Sequence, residues 1–319
     1  MIEEKIVELF KKKSGYISGE DLSAHLKISR QALWKHIQNL RELDYDIVAV
    51  PHLGYRLLAL PDRLLPFEVT RELHTRFIGR RIYYFQTTPS TMDIAVKLGL
   101  DNAVEGSLVL AEVQTRGRGR LSRHWHSPKY KGIYLSLLLR PKFSLSETPI
   151  LTLTSAVSIS EAVEEFTGLR CQIKWPNDIL IGNKKLGGIL TELNAESDEI
   201  RFVVIGIGLN VNNEKDQLPP QATSLREHLK KETNRIGLLQ EILRRLENNY
   251  LLLESRGGAP IIQKWRVFNI TIGKKVRITS HHRQIEGQAI DIDRSGALLV
   301  KKGSGVIEKI TAGDVQHYR

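Results

Sequence analysis

The amino-acid sequence predicts an α+β protein with several domains. Three helical patterns and two short strand patterns occupy residues 1–62, strands alternate with helices through residues 63–268, and only short strands follow from about Ile270. At 319 residues the chain is long enough for two or three domains, each with its own core. We therefore expect a small helical module, a central domain built on a mixed sheet, and a small C-terminal β-domain.

The first module begins with helices whose apolar residues recur at helical spacing. Ser18, three residues before Asp21, and Ser29, before the third helix, are the expected N-caps. The predicted elements are helices Glu3–Lys13, Asp21–Leu26 and one from the Ser29 cap to about Leu43, then strands Tyr45–Ala49 and Gly54–Leu58. Three helices followed by a hairpin is the order of a winged helix-turn-helix.

The outer face of the third helix is the candidate DNA-binding surface. Arg30 and Gln31 lie near its N-terminus, where a recognition helix meets base edges. Trp34 shares this face, and Lys35 and Arg41 are placed to reach phosphates. The module as a whole is almost charge-balanced, and winged helices also dock proteins, so a protein-docking role stays open beside DNA binding.

The central domain is predicted to follow a linker at Leu60–Pro66. Gly182-Asn183 between two apolar runs is a hairpin signal. The predicted strands are Arg81–Phe85, Ser107–Gln114, Gly132–Leu139, Cys171–Trp175 and Phe202–Asn212, and the predicted helices are Met92–Leu98, Ile150–Phe166 and Arg235–Leu253.

The C-terminal segment is predicted to contain short strands separated by turns. The strands are Lys275–Thr279, Gln284–Asp293, Ala297–Lys301 and Val306–Ile310, with His281-His282 in the first turn. Such short strands with polar and glycine-rich turns indicate a small antiparallel barrel, SH3-like in size.

The stretch Gln114–Lys131 (QTRGRGRLSRHWHSPKYK) is predicted to be a loop, because two interior glycines disfavour both a helix and a strand. Its arginines crowd around these glycines, and no acidic residue occurs between Glu112 and Glu147. Guanidinium groups match phosphate and carboxylate oxygens two at a time. The loop therefore indicates an anion site, although an exposed basic loop or a nucleic-acid contact stays open from these residues alone.

Two further positions carry candidate chemistry. Ser90 and Thr91, at a strand-to-helix turn, offer hydroxyl groups to a carboxylate or ureido oxygen, although Ser90 also suits a plain N-cap. Lys185, on a strand that leads to Gly187-Gly188, is placed to neutralise charge on reacting anions, although surface strand lysines are common. The pair Asn177-Asp178 is either functional or an ordinary turn.

Composition limits the possible partners and compartments. A net charge of +11 favours polyanionic or phosphate-bearing partners. The single cysteine, Cys171, excludes an internal disulfide and favours a cytoplasmic setting. The N-terminus does not resemble a signal peptide, and apolar runs such as Ile133–Leu139 are too short to span a membrane. His124, His126 and His281-His282 lack a convincing third ligand for zinc.

Four motifs in sequence order resemble those of biotin protein ligases: STMD, QTRGRGRLSRHWHSP, KWPNDILIGNKKLGGIL and GIGLNVN. With the N-terminal winged helix, the resemblance is to the bifunctional bacterial form that is also the biotin operon repressor, and it covers essentially the whole chain. It implies that biotin and Mg²⁺-ATP give biotinyl-5'-AMP and pyrophosphate. The biotinyl group then moves to a lysine of a biotin carboxyl carrier protein.

The resemblance also implies residue roles. Lys185 would bridge the biotin carboxylate and the α-phosphate, Arg120 would act with it, and Asp178 would position magnesium or deprotonate the incoming lysine. The residues implied to bind biotin are Ser90, Thr91, Gln114, Gly117, Arg118, Lys185, Gly188 and Gly206. Those implied to bind ATP or the adenylate are Arg120, Arg123, Trp125, Asn177 and Asn210, and those implied to bind DNA are Arg30, Gln31, Trp34 and Lys35.

The implied organisation is a DNA-binding domain (1–62), a biotin- and ATP-binding ligase domain (63–268) and an SH3-like domain (269–319). Operator DNA, the carrier protein and a homodimer formed on adenylate binding are the expected partners, with biotinyl-5'-AMP as corepressor and no membrane partner. Three alternatives stay open: a ligase without DNA regulation, a ligand-sensing regulator without the chemistry, and a lipoate ligase.

Overall fold

The computed structural model describes residues 2–197, 199–280 and 283–318, so the predicted turn at His281-His282 lies outside the described residues. The chain divides in sequence between Arg63 and Leu64 into two compact units. No helix in this described part combines the length and the apolar character needed to cross a bilayer.

The N-terminal unit contains three helices and an antiparallel hairpin, as predicted. Ser18 Oγ accepts a hydrogen bond from Asp21 N at 3.0 Å, and Ser29 Oγ accepts one from Ala32 N at 3.1 Å. Both predicted caps are therefore confirmed. The elements are α1 (Ile2–Lys12), α2 (Gly19–Leu26), α3 (Arg30–Glu42), β1 (Asp46–Val50) and β2 (Gly54–Ala59).

The core of this unit is formed by the inward faces of the three helices. Ile6, Val7, Leu22, Leu33 and Ile37 are almost completely buried. The outer face of α3 is thereby left to solvent, which is the arrangement that an amphipathic surface helix produces.

The second unit is organised around a seven-stranded sheet in the order β3-β4-β5-β9-β8-β7-β6. Only β3 and β4 pair in parallel, and the other neighbours are antiparallel, which confirms the predicted mixed sheet. Its strands are β3 (Ile82–Thr88), β4 (Leu108–Gln114), β5 (Gly132–Leu139), β6 (Gln172–Lys174), β7 (Asp178–Ile181), β8 (Lys184–Glu196) and β9 (Glu199–Asn210).

Helices cover both faces of this sheet. The helices of the second unit are α4 (Pro66–Arg71), α5 (Thr91–Leu100), α6 (Pro149–Thr167), α7 (Leu225–Leu229), α8 (Arg235–Arg256) and α9 (Ala259–Phe268). Helices α6, α8 and α9 pack together over the main core, while α5 packs on β4, β5 and β9. A second apolar cluster under α5 includes Met92, Val109 and Phe202. The sheet is therefore a rigid, doubly covered platform.

The sequence missed three of these helices. Helices α4, α7 and α9 were not predicted, and Pro66, which was expected to end a linker, occupies the first turn of α4. Helices α4 and α7 are only five or six residues long, so they offer little periodicity from which a helix can be recognised.

The C-terminal segment is antiparallel throughout, in the strand order β13-β12-β11-β10-β14. The SH3-like C-terminal domain is therefore confirmed, with one strand more than the four that the sequence predicts. Among the described residues, β13 and β14 are the edge strands of this sheet and do not pair with each other to close a barrel. The strands are β10 (Lys275–Ser280), β11 (Arg283–Ile292), β12 (Leu298–Lys301), β13 (Ile307–Ile310) and β14 (Asp314–Tyr318).

Candidate active site

The basic loop Gln114–Lys131 connects two adjacent strands, because β4 ends at Gln114 and β5 begins at Gly132. Its first residues are fixed by the backbone: Thr115 N donates to Thr88 O at 3.0 Å and Arg116 N donates to Pro89 O at 2.8 Å. The loop then turns back on itself through a bond from Trp125 N to Gly117 O at 2.8 Å. It therefore has a rigid base between the two strands that the sequence predicts on either side of it.

A cavity of about 830 Å³ lies where this loop, the central sheet and strand β14 meet. It is large enough for a drug-sized ligand. Most of the residues predicted for the site surround this one cavity: Thr91, Gln114, Arg118, Arg120, Arg123, Trp125, Asn177, Asp178, Lys185, Gly188, Gly206 and Asn210. Their individual roles stay predictions.

Glycines on neighbouring strands leave the floor of the cavity without projecting side chains. Gly188 on β8 pairs with Gly208 on β9. A Cβ atom at Gly208 would lie 2.4 Å from the Trp125 ring, so the indole packs on this position only because it is glycine. Gly208 belongs to the GIGLNVN motif, but the sequence alone gave it no role. The indole Nε1 is buried and has no hydrogen-bond partner among the described residues.

Lys185 lies in this cavity on β8. Its Nζ is 2.6 Å from Asp178 Oδ1 and 5.6 Å from the centre of the Trp125 ring. The backbone on either side is also held, because Lys185 N donates to Gln221 O at 2.8 Å and Thr223 N donates to Lys185 O at 2.9 Å. A half-buried lysine fixed in this way is well suited to present a positive charge at one point, which favours the site interpretation over an ordinary surface lysine.

Two arginines of the loop are held by carboxylates. Arg118 contacts Asp93 and lies 3.0 Å from Glu192, and Arg123 lies 2.5 Å from Asp314 on β14. Their positive charges are therefore largely compensated before any ligand is considered.

Arg120 differs from these two arginines. It donates to Asn177 Oδ1 at 3.1 Å and to Gly313 O at 3.2 Å, and it forms no ion pair within the described ranges. Burial lowers the pKa of Arg120, while the nearby carboxylates of Asp178 and Asp314 act in the opposite direction. Because both of these hydrogen-bond partners are neutral, the charge of Arg120 remains available to an anionic ligand.

One end of the cavity is formed by hydroxyl and amide groups. Gln114 Oε1 accepts hydrogen bonds from Thr91 N at 2.9 Å and from Thr91 Oγ1 at 3.0 Å. Ser136 on β5, which belongs to no recognisable sequence motif, donates from its Oγ to Thr91 Oγ1 at 2.8 Å. These bonds orient the side chains of Thr91 and Gln114 before a ligand arrives.

Ser90 lies beside this network without lining the cavity surface. It occupies the N-cap position of α5 by its backbone, but its side chain makes no capping bond. The side chain is 1% exposed, and its Oγ has no hydrogen-bond partner among the described residues. The plain N-cap alternative is therefore not realised, and the hydroxyl is free for another partner.

Two other predicted residues have contacts that the sequence did not indicate. Gly117 does not line the cavity; a Cβ there would lie 2.7 Å from Trp125 O, so this glycine allows the loop to fold back. Asn210 donates from Nδ2 to Thr223 O at 3.0 Å and so helps to fix the neighbouring loop.

Strand β14 contributes a wall that the sequence patterns did not predict. Asp314, Gln316 and His317 all line the cavity. His317 Nε2 is buried and unpartnered within the described ranges, and burial, followed by the charges of Lys174 and Lys274, lowers the pKa of this imidazole. The residues of β14 form only a short strand pattern, with no turn or motif that identifies them in the sequence as part of a site.

The DNA-binding candidates lie in the N-terminal unit. Arg30, Gln31, Trp34 and Lys35 are all exposed on α3, and Trp34 is 53% exposed despite its size. Arg30 is paired with Glu20 at 2.8 Å. The expectation that Arg41 reaches out from this face is wrong, because its guanidinium donates to Ile47 O at 2.9 and 2.7 Å and so ties α3 to β1.

Sequence models of three domain families match this chain. The biotin/lipoate A/B protein ligase family matches residues 84–210, which contain the cavity-lining loop and Lys185. A helix-turn-helix domain matches residues 3–56, and the biotin protein ligase C-terminal domain matches residues 271–318.

Individual proteins are similar over nearly the full length. The bifunctional ligase/repressor BirA of Bacillus subtilis (strain 168) is 40% identical, spanning 99% of this chain and 98% of the relative. BirA of Escherichia coli (strain K12) is 29% identical, spanning 93% and 92%. A solved biotin protein ligase from Aquifex aeolicus, in complex with biotin and ATP, has 30% identity and a TM-score of 0.64, covering 75% of this chain and 99% of that chain. The chain therefore belongs to the biotin protein ligase family and, within it, to the relatives described as bifunctional ligase/repressors.

Proposed function

We propose that this chain is an ATP-dependent biotin protein ligase, which forms biotinyl-5'-AMP and transfers biotin to a lysine of a biotin carboxyl carrier protein. The observation that carries the proposal is the position of Lys185. It presents a positive charge in a cavity that has hydroxyl and amide groups at one end and arginines from a glycine-rich loop above it. The membership of the chain in the ligase family supports the same activity.

The polar end of the cavity suits the biotin ring. Thr91 and Gln114 line the cavity and hold each other in place, so they meet the ureido group at little orientational cost. Ser90, next to Thr91 in the chain, has a buried Oγ without a partner among the described residues. Gly206 and Gly188 would leave room for the bicyclic ring and its chain. We assign Gly117 and Arg118 an indirect part, because they shape and fasten the loop over this end.

Adenylate formation needs placement more than proton transfer. A carboxylate attacks phosphorus without a general base, and the barrier comes from bringing two anions together. Lys185 would stand between the biotin carboxylate and the α-phosphate, and Arg120 would stabilise the phosphate from the loop side. Arg123, Trp125, Asn177 and Asn210 would order the loop and the nucleotide around it.

Magnesium fits this site only as an ion carried by the nucleotide. Among the described residues, no three His, Cys, Asp or Glu side chains group closely enough to hold a metal ion. Mg²⁺ commonly takes one or two carboxylates together with substrate phosphates, and Asp178 is a cavity carboxylate of that kind. When bound, the ion would neutralise part of the phosphate charge.

In the transfer step, the lysine of the carrier protein must lose a proton before it attacks the adenylate. Asp178, fixed 2.6 Å from Lys185, is the cavity carboxylate that we assign to accept this proton. Because the mixed anhydride is easily hydrolysed, the loop would also protect it by excluding water.

The ligase proposal is tested by pyrophosphate release with biotin and ATP, followed by transfer of labelled biotin to a carrier domain. Lys185→Gln should reduce release by about 100-fold or more, as removal of one charge-stabilising donor does elsewhere. Lys184→Gln is the matched control, because the neighbouring Lys184 pairs with Glu227 at 3.3 Å and does not line the cavity. Absence of pyrophosphate release by the folded wild-type protein would contradict the proposal.

Lipoate is the competing acyl substrate, because the matching family contains both kinds of ligase. Biotin is favoured by the hydroxyl and amide groups of Thr91 and Gln114 at the polar end of the cavity, since lipoate has no ureido group to engage them. Replacing biotin by lipoate in the same assay decides between them: equal or faster turnover of lipoate would overturn the choice of biotin.

We also propose that the N-terminal unit binds operator DNA of biotin genes, with biotinyl-5'-AMP as corepressor. The support is the exposed α3 face with Arg30, Gln31, Trp34 and Lys35, and the similarity to ligase/repressors. A band-shift assay with the biotin operon region should show adenylate-dependent binding that Gln31→Ala and Lys35→Ala weaken. If adding the adenylate left the mobility of the DNA unchanged, the protein would be a ligase that does not regulate DNA.

Dimer formation would connect the two activities. If adenylate binding orders the loop and stabilises a homodimer, two winged helices could span a palindromic operator. Sedimentation of the full chain with and without biotinyl-5'-AMP tests this coupling, and an unchanged sedimentation coefficient would contradict it. We propose the domain limits 1–62, 63–268 and 269–319 for these functions, and the cytoplasm as their location.

A further inference from the structure

The sequence KWPND begins with a lysine, Lys174, which has no role in the sequence predictions or in the proposed reaction. Lys174 ends β6, at the edge of the seven-stranded sheet, and its side chain lines the same cavity. In register, Lys174 pairs with Asp178 on β7, Asp178 pairs with Gly188 on β8, and Gly188 pairs with Gly208 on β9. Residues directly opposite one another share one face of a sheet. This row is therefore the cavity floor, and Lys174 stands at its outer end.

The order of the strands gives the cavity a direction. Gln114 ends β4 near one side of the sheet, Lys185 lies on β8, and Lys174 lies on the last strand, β6. The polar end that suits biotin and the edge that carries Lys174 are thus on opposite sides of Lys185. A leaving group that departs on the side opposite to the attacking biotin carboxylate would therefore move toward β6, the edge strand of the sheet.

The charges of the cavity leave Lys174 available. Arg118 and Arg123 are paired with carboxylates, and Lys185 is paired with Asp178. Lys174, by contrast, has no hydrogen bond or ion pair among the residues that the structure describes. The pKa of Asp314 is lowered first by its hydrogen bond with Arg123 and to a smaller extent by the charge of Lys174, so this carboxylate lies near Lys174 without pairing with it directly. A half-buried ammonium group that lacks a direct ion pair can take up an anionic ligand.

A second unpartnered group lies nearby. His317 on β14 lines the cavity with a buried Nε2 that has no partner in the described ranges. The charge of Lys174 contributes, after burial, to lowering the pKa of His317, so the two side chains lie within electrostatic reach. Two unsatisfied polar groups from different elements, β6 and β14, therefore face the same part of the cavity.

We propose that Lys174, assisted by His317, binds the two terminal phosphates of ATP and the pyrophosphate that they become. The inference rests on the proposed adenylation. In that step a biotin carboxylate oxygen forms a bond to the α-phosphorus, and the bond from the α-phosphorus to the bridging oxygen of the β-phosphate breaks. The electron pair leaves with the bridging oxygen, so negative charge accumulates on pyrophosphate, where an ammonium group stabilises it.

The test is biotin-dependent exchange of labelled pyrophosphate into ATP, measured over a range of pyrophosphate concentrations with the full chain. Lys174→Gln should raise the half-saturating pyrophosphate concentration by about tenfold or more, the usual effect of losing one charge-assisted hydrogen bond. The same variant should transfer biotin from supplied biotinyl-5'-AMP to a carrier domain at the wild-type rate, because pyrophosphate has already left.

Two variants make the result decisive. Lys97→Gln removes an equal charge from an exposed position on α5 outside the cavity, and it should leave the half-saturating concentration unchanged. Lys174→Arg keeps the charge and should stay within about threefold of the wild type, a loss of less than one charge-assisted hydrogen bond.

Three outcomes would overturn the subsite. The first is a Lys174→Gln protein with the wild-type half-saturating concentration. The second is equal slowing of exchange and of transfer from supplied adenylate, and the third is a Lys174→Arg protein as impaired as Lys174→Gln. No exchange by the wild-type protein would instead refute the proposed ligase activity itself.

Discussion

At the scale of single residues, a buried ion pair fixes the foundation of the active-site loop. Arg235 and Glu112 are both 0% exposed in their side chains, and Arg235 Nη1 lies 2.9 Å from Glu112 Oε2. The same nitrogen donates to Gly132 O at 2.8 Å, while Glu112 Oε1 accepts from Leu64 N at 2.7 Å. Glu112 precedes the loop and Gly132 follows it, so one network holds both ends.

We expect Arg235→Ala to lower the free energy of unfolding by about 3–5 kcal/mol, because it leaves a buried carboxylate uncompensated. Urea denaturation followed by circular dichroism measures this loss. The double variant Glu112→Met/Arg235→Met should recover much of it, since apolar side chains replace buried ion pairs with little cost. A loss below about 1 kcal/mol for Arg235→Ala would show that water reaches the pair.

His317 gives a second residue-scale prediction, which concerns pH. Burial and nearby lysines lower its pKa from the ordinary value of 6.5. The unfolded chain therefore takes up this proton at a higher pH than the folded protein does. Stability must fall as the pH drops below about 6.5, until the folded state is protonated as well.

The measurement is the thermal midpoint between pH 7.5 and 5 for the wild type and for His317→Gln, values chosen to bracket the pKa of about 6.5 of a free imidazole. The variant should show a smaller decrease of the midpoint over this interval. Parallel curves would mean that His317 is protonated as readily in the folded protein as in the unfolded chain.

At the scale of elements, strand β14 acts as a fastening for the loop. Arg120 donates to Gly313 O just before the strand, and Arg123 pairs with Asp314 at its first position. The Arg123 hydrogen bond, although opposed by burial, lowers the pKa of Asp314. The contact is therefore fully present above the ordinary carboxyl pKa and is lost only when strong acid protonates Asp314.

We expect Asp314→Asn to loosen the loop without unfolding the protein, because the pair is partly exposed and contributes little to global stability. Hydrogen exchange should become faster at Arg120–Trp125, while the thermal midpoint changes by no more than a few degrees, as expected for a loss below about 1 kcal/mol. Asp216→Asn, at an exposed position that does not line the cavity, is the control. Unchanged exchange in the loop would contradict the fastening role.

At the scale of the whole molecule, the division between Arg63 and Leu64 separates the two proposed activities. The Aquifex aeolicus ligase covers 75% of this chain and 99% of its own length, so a protein of similar fold exists without an equivalent of every part of this one. We expect a fragment of residues 64–319 to fold and to retain pyrophosphate exchange within about threefold of the full chain, because domains with their own cores fold independently.

The fragment should lose all operator binding, because α3 belongs to the other unit. Exchange activity and a band-shift assay on the same preparations test both halves of this prediction. Loss of exchange by a folded fragment would show that the N-terminal unit contributes to the catalytic unit. In that case the two activities would not be separable at Arg63.

Sequence patterns predicted most of the helices and strands, because these patterns depend only on residues close together in the chain. Ser18 and Ser29 cap the helices that they were expected to cap, and β5 begins and ends at Gly132 and Leu139 as predicted. Alternation, helical spacing and capping require only neighbours along the chain. The short helices α4 and α7 were not predicted, because tertiary packing rather than a repeating sequence pattern stabilises them.

The sequence by itself determined the order of the elements, the basic loop with its glycines, and the motifs that identify the family. Only the tertiary structure decided which groups are free and which are occupied. It paired Arg118 and Arg123 with carboxylates, left Ser90 Oγ and Lys174 without a direct partner among the described residues, and brought β14 to the cavity. The physical reason is that these contacts join residues distant in sequence, and no local pattern encodes the partner that a charged or polar side chain meets.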